Sequence, residues 1–398
     1  MSSPYTARPA RSFWRTGVAE VDGMVLPDLY RAKFPIDRSM PIATAGSCFA
    51  QHIGRAMRTR GFNVLDGEPA PPGLDDAAAQ AFGYRIYSTR YANIYTVRQF
   101  VQIVEEALGR FVPAERVWEK DGRFFDAMRP SVEPQGLSSP ELVLQHRAHH
   151  LAAVLKVLGE AAVLVFTMGL TEAWVDRETG CVYPTAPGTI AGSYDPQRHV
   201  FKNFDYPEIL ADFTALRALL KDINPGLRML ITVSPVPLTA TAGDEHVLAA
   251  TTYSKSVLRA VAGKVASAFD DVDYFPSYEV ITGAKARGAF FADNLRSVEP
   301  LGVATVMATF FGEEDPAQVE DAPAGVAGTG RGSGRKPGAA DPARLAERAE
   351  RTAKRQARQA ARMAAGRTGD APRPKRNRRG ASAEDVVCEE ALLEAFGR

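Results

Sequence analysis

A chain of 398 residues with 45% hydrophobic content can bury a full core, and one domain of about 300 residues with an appendage fits that length. Net charge is only +1, yet from Arg331 onward 17 Lys/Arg face 9 Asp/Glu, so a basic tail follows a mildly acidic body. Three cysteines, Cys48, Cys181 and Cys388, stand far apart with no paired spacing, which speaks against a disulfide framework and against a Cys-rich zinc site.

Residues 1–40 are punctuated by Pro and Arg and read as an extended leader lying over the domain. Met1 to Pro9 holds no apolar core of signal-peptide length, and no later run approaches about 18 apolar residues, so a soluble cytoplasmic protein is the expectation. Pro41 to Ala45 is a short apolar run that enters the corner Gly46-Ser47-Cys48 and leaves with apolar residues at helical spacing: strand, tight turn, helix. Asp66 to Ala78 is a Pro-rich loop. Tyr84 to Thr96 is aromatic, β-branched and turn-rich, and predicts a second corner before a helix through Val97, Phe100, Val101, Ile103 and Val104. Asp121 to Pro130 reads as a hairpin or lid.

Leu142 to Leu158 predicts an amphipathic helix carrying His146, His149 and His150. His146 and His150 share a face at a spacing that can bind metal, but no acidic or Cys partner sits at matching spacing, and no metal is assigned. Ala161 to Thr167 has the length and continuous apolarity of a buried parallel strand, and places Met168-Gly169-Leu170-Thr171-Glu172 at its C-terminal edge, where open α/β sheets bind ligands. A helix at Leu210–Leu220, a strand at Met229–Val233, a helix at Tyr253–Phe269 and a strand at Val272–Phe275 continue the alternation. The expected fold is α/β, a three-layer α/β/α doubly wound parallel sheet, over residues 41–312. Beyond it, 313–340 reads as a flexible Gly/Pro/Ala linker, 341–380 as a disordered basic Arg/Ala-rich tail, and 381–398 as a short amphipathic helix that docks back on the domain or on a partner.

Two nucleophiles at a helix N-terminus would have unpaired N–H groups and the positive end of the helix dipole to stabilise an oxyanion or a thiolate. The same letters also suit a plain turn and N-cap. The words Gly46-Ser47-Cys48-Phe49-Ala50 resemble the motif for which the GSCFA family is named, itself similar to a branch of the SGNH (GDSL-type) hydrolase superfamily. Tyr91 to Thr96, Met168 to Trp174, Thr232 to Val236 and Asp293 to Ser297 resemble further family blocks in the expected order, and the likeness covers roughly residues 10–312.

That resemblance implies an SGNH-hydrolase-like fold and an esterase or acyltransferase acting on an O-acylated sugar, polysaccharide or lipid-linked glycan, with no cofactor. Superfamily members place serine after Gly-Asp. Ungapped matching puts Cys48 at the nucleophile position, and a one-residue slip makes it Ser47, the modestly favoured choice since the superfamily uses serine. Gly46, the backbone near Ala92 and Asn93, Gly169 and Thr171 would line the oxyanion region. Ala92 stands where relatives often have Gly, which matters only if that position needs positive φ. Thr171 and Glu172 replace the usual Asn-Asp; Thr171 could donate its hydroxyl or cap a helix running into Trp174, and Glu172 could steer a base or bind substrate. The Asp-x-x-His block reads Asp293-Asn294-Leu295-Arg296, and arginine cannot be the base. Asp293 with Arg296 is then a catalytic remnant or a salt bridge. His246, beside Asp244 and Glu245, is the expected replacement base, with His52 second. Without a base the same fold would be a glycan- or acyl-binding protein, with the basic tail tethering it to an anionic polymer or surface.

Overall fold

The computed structural model describes residues 3–313 and 388–396, which belong to one compact unit; the predicted linker and basic tail lie outside the described residues. Four parallel strands, β1 (Ile42–Gly46), β4 (Val163–Met168), β8 (Arg228–Val233) and β9 (Val272–Tyr274), form a sheet in the order β1-β4-β8-β9. A parallel bridge from Ile42 to Val64 extends the β1 edge. The chain therefore runs from β1 to one side and returns to lay β4 on the other, so the winding reverses at the β1/β4 boundary. Such a reversal leaves a crevice at the carboxyl ends of the strands.

Alternation along the strands assigns the layers. Ala43, Ala45, Leu164, Phe166, Met168, Met229 and Ile231 face a core shared with helices α3 (Val97–Ala107), α4 (Pro140–Glu160), α5 (Tyr206–Ile223) and α6 (Val247–Ala268). Ile42, Val163, Val165 and Leu230 face a second core closed by α1 (Ala50–Thr59), α7 (Ser277–Thr282) and α8 (Pro300–Phe311). The predicted three-layer parallel α/β fold is what the chain adopts, its strands apolar on both faces because both are covered. The leader is not simply extended: it holds a short 3-10 helix (Ala10–Ser12) and a π-helical turn (Arg15–Ala19), and Met24, Leu29, Tyr30 and Phe34 pack on the second core.

Two small antiparallel units flank the sheet. One is a hairpin, β2 (Val117–Lys120) with β3 (Arg123–Asp126), as expected of the Asp121 to Pro130 stretch. The other has strands β5 (Glu172–Asp176), β6 (Val182–Tyr183) and β7 (His199–Asn203) in the order β6-β5-β7. It corrects one expectation: Thr171 does not cap a helix, because the residues running into Trp174 pair as a strand with Phe201 and Tyr183. A six-residue helix, α2 (Asp76–Ala81), interrupts the Pro-rich loop.

Candidate active site

The Gly-Ser-Cys corner sits at the winding reversal. Gly46 has φ +135°, and a Cβ there would stand 2.5 Å from the Thr167 carbonyl oxygen of β4, so no larger residue fits. Ser47 N–H donates to that carbonyl at 3.1 Å, and the Ser47 carbonyl accepts from Tyr87 Oη at 3.0 Å. Opposite lies Gly169, where a Cβ would come 2.8 Å from Ser47 Cβ. Ser47 is thus folded under the neighbouring strand, 2% exposed, and its Oγ has no hydrogen-bond partner among the described residues. Cys48, one residue on, lines a cavity of about 780 Å³ walled by His52, Arg55 and Ala56 of α1, Val303 and Met307 of α8, Val236 and Arg296.

Ala92 lies at φ +60°, so its position does need the left-handed backbone that suits glycine. The turn sends Asn93 inward. Its Oδ1 accepts from Gln51 Nε2 at 3.2 Å and from Tyr87 Oη. Thr96 caps α3 by accepting from Gln99 N–H at 3.1 Å, which holds Tyr95 beside Asn93.

The third and fourth blocks depart from expectation. Gly169 N–H donates to the Tyr95 carbonyl at 3.0 Å, and Thr171 Oγ1 donates to Asn203 Oδ1 at 2.7 Å, so neither donor is free for an oxyanion. Glu172 accepts from Thr241 Oγ1 and lines a second cavity of about 210 Å³ with Trp174, Phe201 and Tyr95; burial raises its pKa. His246 is exposed and caps α6, its Nδ1 accepting from Leu248 N–H at 3.1 Å, and it lines neither cavity. Asp293 is exposed, and Arg296 turns away from it to the Pro237 carbonyl, the Cys388 sulfur and Glu390. Neither the His246 base nor the Asp293–Arg296 bridge is formed. His52 does line the large cavity, but burial, with Arg55 adding, holds its pKa down to about 4.

What sequence reasoning did not place is the group that meets the corner. Cys388 and the 3-10 helix Glu389–Phe396 enter the site. Glu389, 6% exposed, brings Oε2 to two donors at once, Asn93 Nδ2 and Tyr95 Oη (3.0 Å), while Ser131 Oγ donates to its Oε1 at 2.5 Å. Glu390 pairs with Arg296 at 3.3 Å, and Arg296 Nη2 stands 3.4 Å from Cys388 Sγ. Lys255 of α6, 1% exposed, donates to the Gly169 carbonyl at 2.6 Å, and its charge acts on both Cys48 and Glu390. Docking of residues 388–396 on the domain is one of the two destinations that the sequence allows. Nothing local sets Lys255 apart, since Thr251, Thr252, Ser254 and Ser256 around it and Arg259 and Lys264 of the same helix are polar or charged too.

Electrostatics follow from this packing. The neighbouring Cys48 thiol, together with the Arg296 guanidinium, holds Cys388 down at about 6 against the opposing effect of burial. The Cys388 sulfur and burial raise Cys48. Burial lowers Lys255 to about 8 despite Glu390, and raises Glu390 to about 8 despite Arg296. The docked segment therefore keeps the proton on Cys48. Of the candidate metal pair, His146 is half exposed, whereas His150 is buried and its Nδ1 meets the Glu68 carboxylate at 2.6 Å inside an ionic cluster with Arg129, away from the corner.

The profile of the GSCFA family matches residues 41–310, about two thirds of the sequence. The chain belongs to the GSCFA family. No curated protein matches it significantly. The family's span holds the corner, Asn93, Tyr95, Gly169, Lys255 and Arg296, whereas the Cys388 to Phe396 segment that fills the site lies outside it.

Proposed function

We propose that the chain is an acyl-transfer enzyme of SGNH-like chemistry, an esterase or O-acyltransferase, with Cys48 as nucleophile. The observation that carries this reading is the pair of donors, Asn93 Nδ2 and Tyr95 Oη, aimed at one carboxylate oxygen of Glu389 beside the corner. A carboxylate oxygen stands in there for the oxyanion of a tetrahedral intermediate, and preorganised donors at that place are the largest single contribution to most acyl transfers.

Cys48 is favoured over Ser47 because it opens on the large cavity, while Ser47 is tied by its backbone and tucked under Gly169. When the segment leaves, Cys48 loses the Cys388 sulfur that raises its pKa and faces the N-terminal end of α1, where a thiolate is stabilised. Lys255 takes the place expected of His246. Burial holds its pKa below the ordinary lysine value, at about 8 with the segment docked, so it can accept the thiol proton, while Arg296 offsets the charge that develops. An O-acylated glycan suits the pair of cavities: Trp174 and Phe201 line the second together with Glu172 and Thr241, aromatic side chains with a few polar groups.

A second reading, a carboxylate- or glycan-binding protein without turnover, is favoured by the filled site and by Arg296 in place of the base. p-Nitrophenyl acetate separates the two. With the full chain carrying Glu389→Ala and Glu390→Ala, intact mass should show one acetyl adduct, lost in Cys48→Ala and retained in Ser47→Ala. An adduct lost only in Ser47→Ala would move the nucleophile by one residue; no adduct and no turnover would leave the binding reading.

A further inference from the structure

We infer that Cys48 and Cys388 form a redox-modification site, closing to a disulfide that staples the terminal segment into the cleft. Cys48 and Cys388 act on one another electrostatically, although their spacing in the sequence gives no sign of pairing. Both line the same 780 Å³ cavity, so a small oxidant can reach them. Arg296 stands 3.4 Å from Cys388 Sγ and Tyr95 Oη 3.9 Å from it, a cationic and polar surrounding that favours thiolate at Cys388 and protonated thiol at Cys48. That asymmetry suits a peroxidatic and a resolving cysteine. Cys181, buried against Met128 in another cluster, has no thiol partner.

The oxidant is a hydroperoxide. The Cys388 thiolate attacks its outer oxygen: an S–O bond forms, the O–O bond breaks, and an alkoxide or hydroxide leaves and is protonated, giving the sulfenic acid. The Cys48 sulfur then attacks Cys388 Sγ as its proton passes to the departing hydroxide, so an S–S bond forms, the S–O bond breaks and water leaves. Two thiols lose two electrons and the peroxide gains them; a dithiol reductant reverses the change. The bond itself does not depend on the acyl-transfer reading. That its closure silences the corner does, because Cys48 is the proposed nucleophile.

The test uses the full-length protein and equimolar hydrogen peroxide. Wild type should lose the mass of two hydrogens, run as a monomer on a non-reducing gel, and yield a tryptic fragment joining the Cys48 and Cys388 peptides, all reversed by dithiothreitol. After denaturation, iodoacetamide should label one cysteine in place of three. Cys181→Ser should behave as wild type, and Cys388→Ser should keep its mass or gain oxygen. A crosslink between chains, a link through Cys181, or oxygen adducts without a bond in wild type would each overturn the inference. A bond that forms while the reduced protein shows no acetyl adduct in either background would retain the disulfide and remove the acyl-transfer reading.

Discussion

At the scale of single residues the corner is decided by backbone geometry. Gly46 combines positive φ with a Cβ position inside the Thr167 carbonyl, so Gly46→Ala should cost about 3 kcal/mol or more, read as a lowered urea midpoint. Ala92 shares only the first of these conditions. Ala92→Gly relieves an αL cost of about 1–2 kcal/mol and adds chain entropy of about 0.5–1 kcal/mol, so stability should stay within about 1 kcal/mol of wild type. A loss in Gly46→Ala no larger than that αL cost of about 1–2 kcal/mol would show that φ alone matters at Gly46. Lys255→Met tests the base. In the Glu389→Ala, Glu390→Ala background acetylation of Cys48 should slow roughly 10²-fold, and the rise in rate with pH that Lys255 deprotonation supplies should vanish. A merely structural lysine would leave that limb in place.

At the scale of elements the terminal 3-10 helix is held by polar contacts at its first turn: Glu389 on Asn93, Tyr95 and Ser131, and Glu390 on Arg296. Charged hydrogen bonds contribute about 1.5–3 kcal/mol each, so losing even one shifts a local opening equilibrium on the order of 10-fold or more. Glu389→Ala should therefore raise the iodoacetamide labelling rate of Cys48 by at least about that factor, followed by intact mass. An unchanged rate would mean that the segment does not cover the thiol. The segment also divides the cleft: Cys388 and Ala391 line the larger cavity, Glu390 and Leu393 the smaller. Its release would join them into one groove running from Cys48 towards Trp174. Among the described residues no helix is long and apolar enough to cross a membrane.

At the scale of the whole molecule, stability against acid rests on the buried cluster joining the 66–68 loop to β3 and α4. Burial, with Arg129 adding, lowers His150 from 6.5 to about 4, so the folded form keeps it neutral. The unfolded chain binds that proton first, and stability present above pH 6.5 is lost as pH falls towards 4, on the order of 3 kcal/mol in all. Glu68, held at about 2 by His150 and Arg129 against burial, loses its contribution below 4.5. Urea midpoints should fall steadily from pH 7 to pH 4.5, and His150→Gln should flatten the slope; an unchanged slope would place acid sensitivity elsewhere.

Much of the fold was legible because it is written in local pattern. Continuous apolar runs such as Ala161 to Thr167 have the length of strands covered on both faces, and their alternation with amphipathic helices points to a parallel sheet with its ligand edge after each strand. The corner was legible for the same reason, since Gly46 between an apolar run and a helical pattern leaves the chain few conformations. What local pattern cannot encode is which distant groups meet there. His246 had acidic neighbours, and caps a helix; Asp293 and Arg296 had the spacing of a pair, and face different ways; Thr171 could cap a helix, and enters a strand because Asn203 and Phe201 pair beside it. Lys255 and the Cys388-Glu389-Glu390 segment reach the corner only through packing, because burying a charge or seating a carboxylate depends on donors supplied from several elements at once. The sequence by itself determined the sheet and the place of the Gly-Ser-Cys corner; the tertiary structure alone decided which groups meet it, since proximity across a long chain follows from how the layers pack and not from spacing.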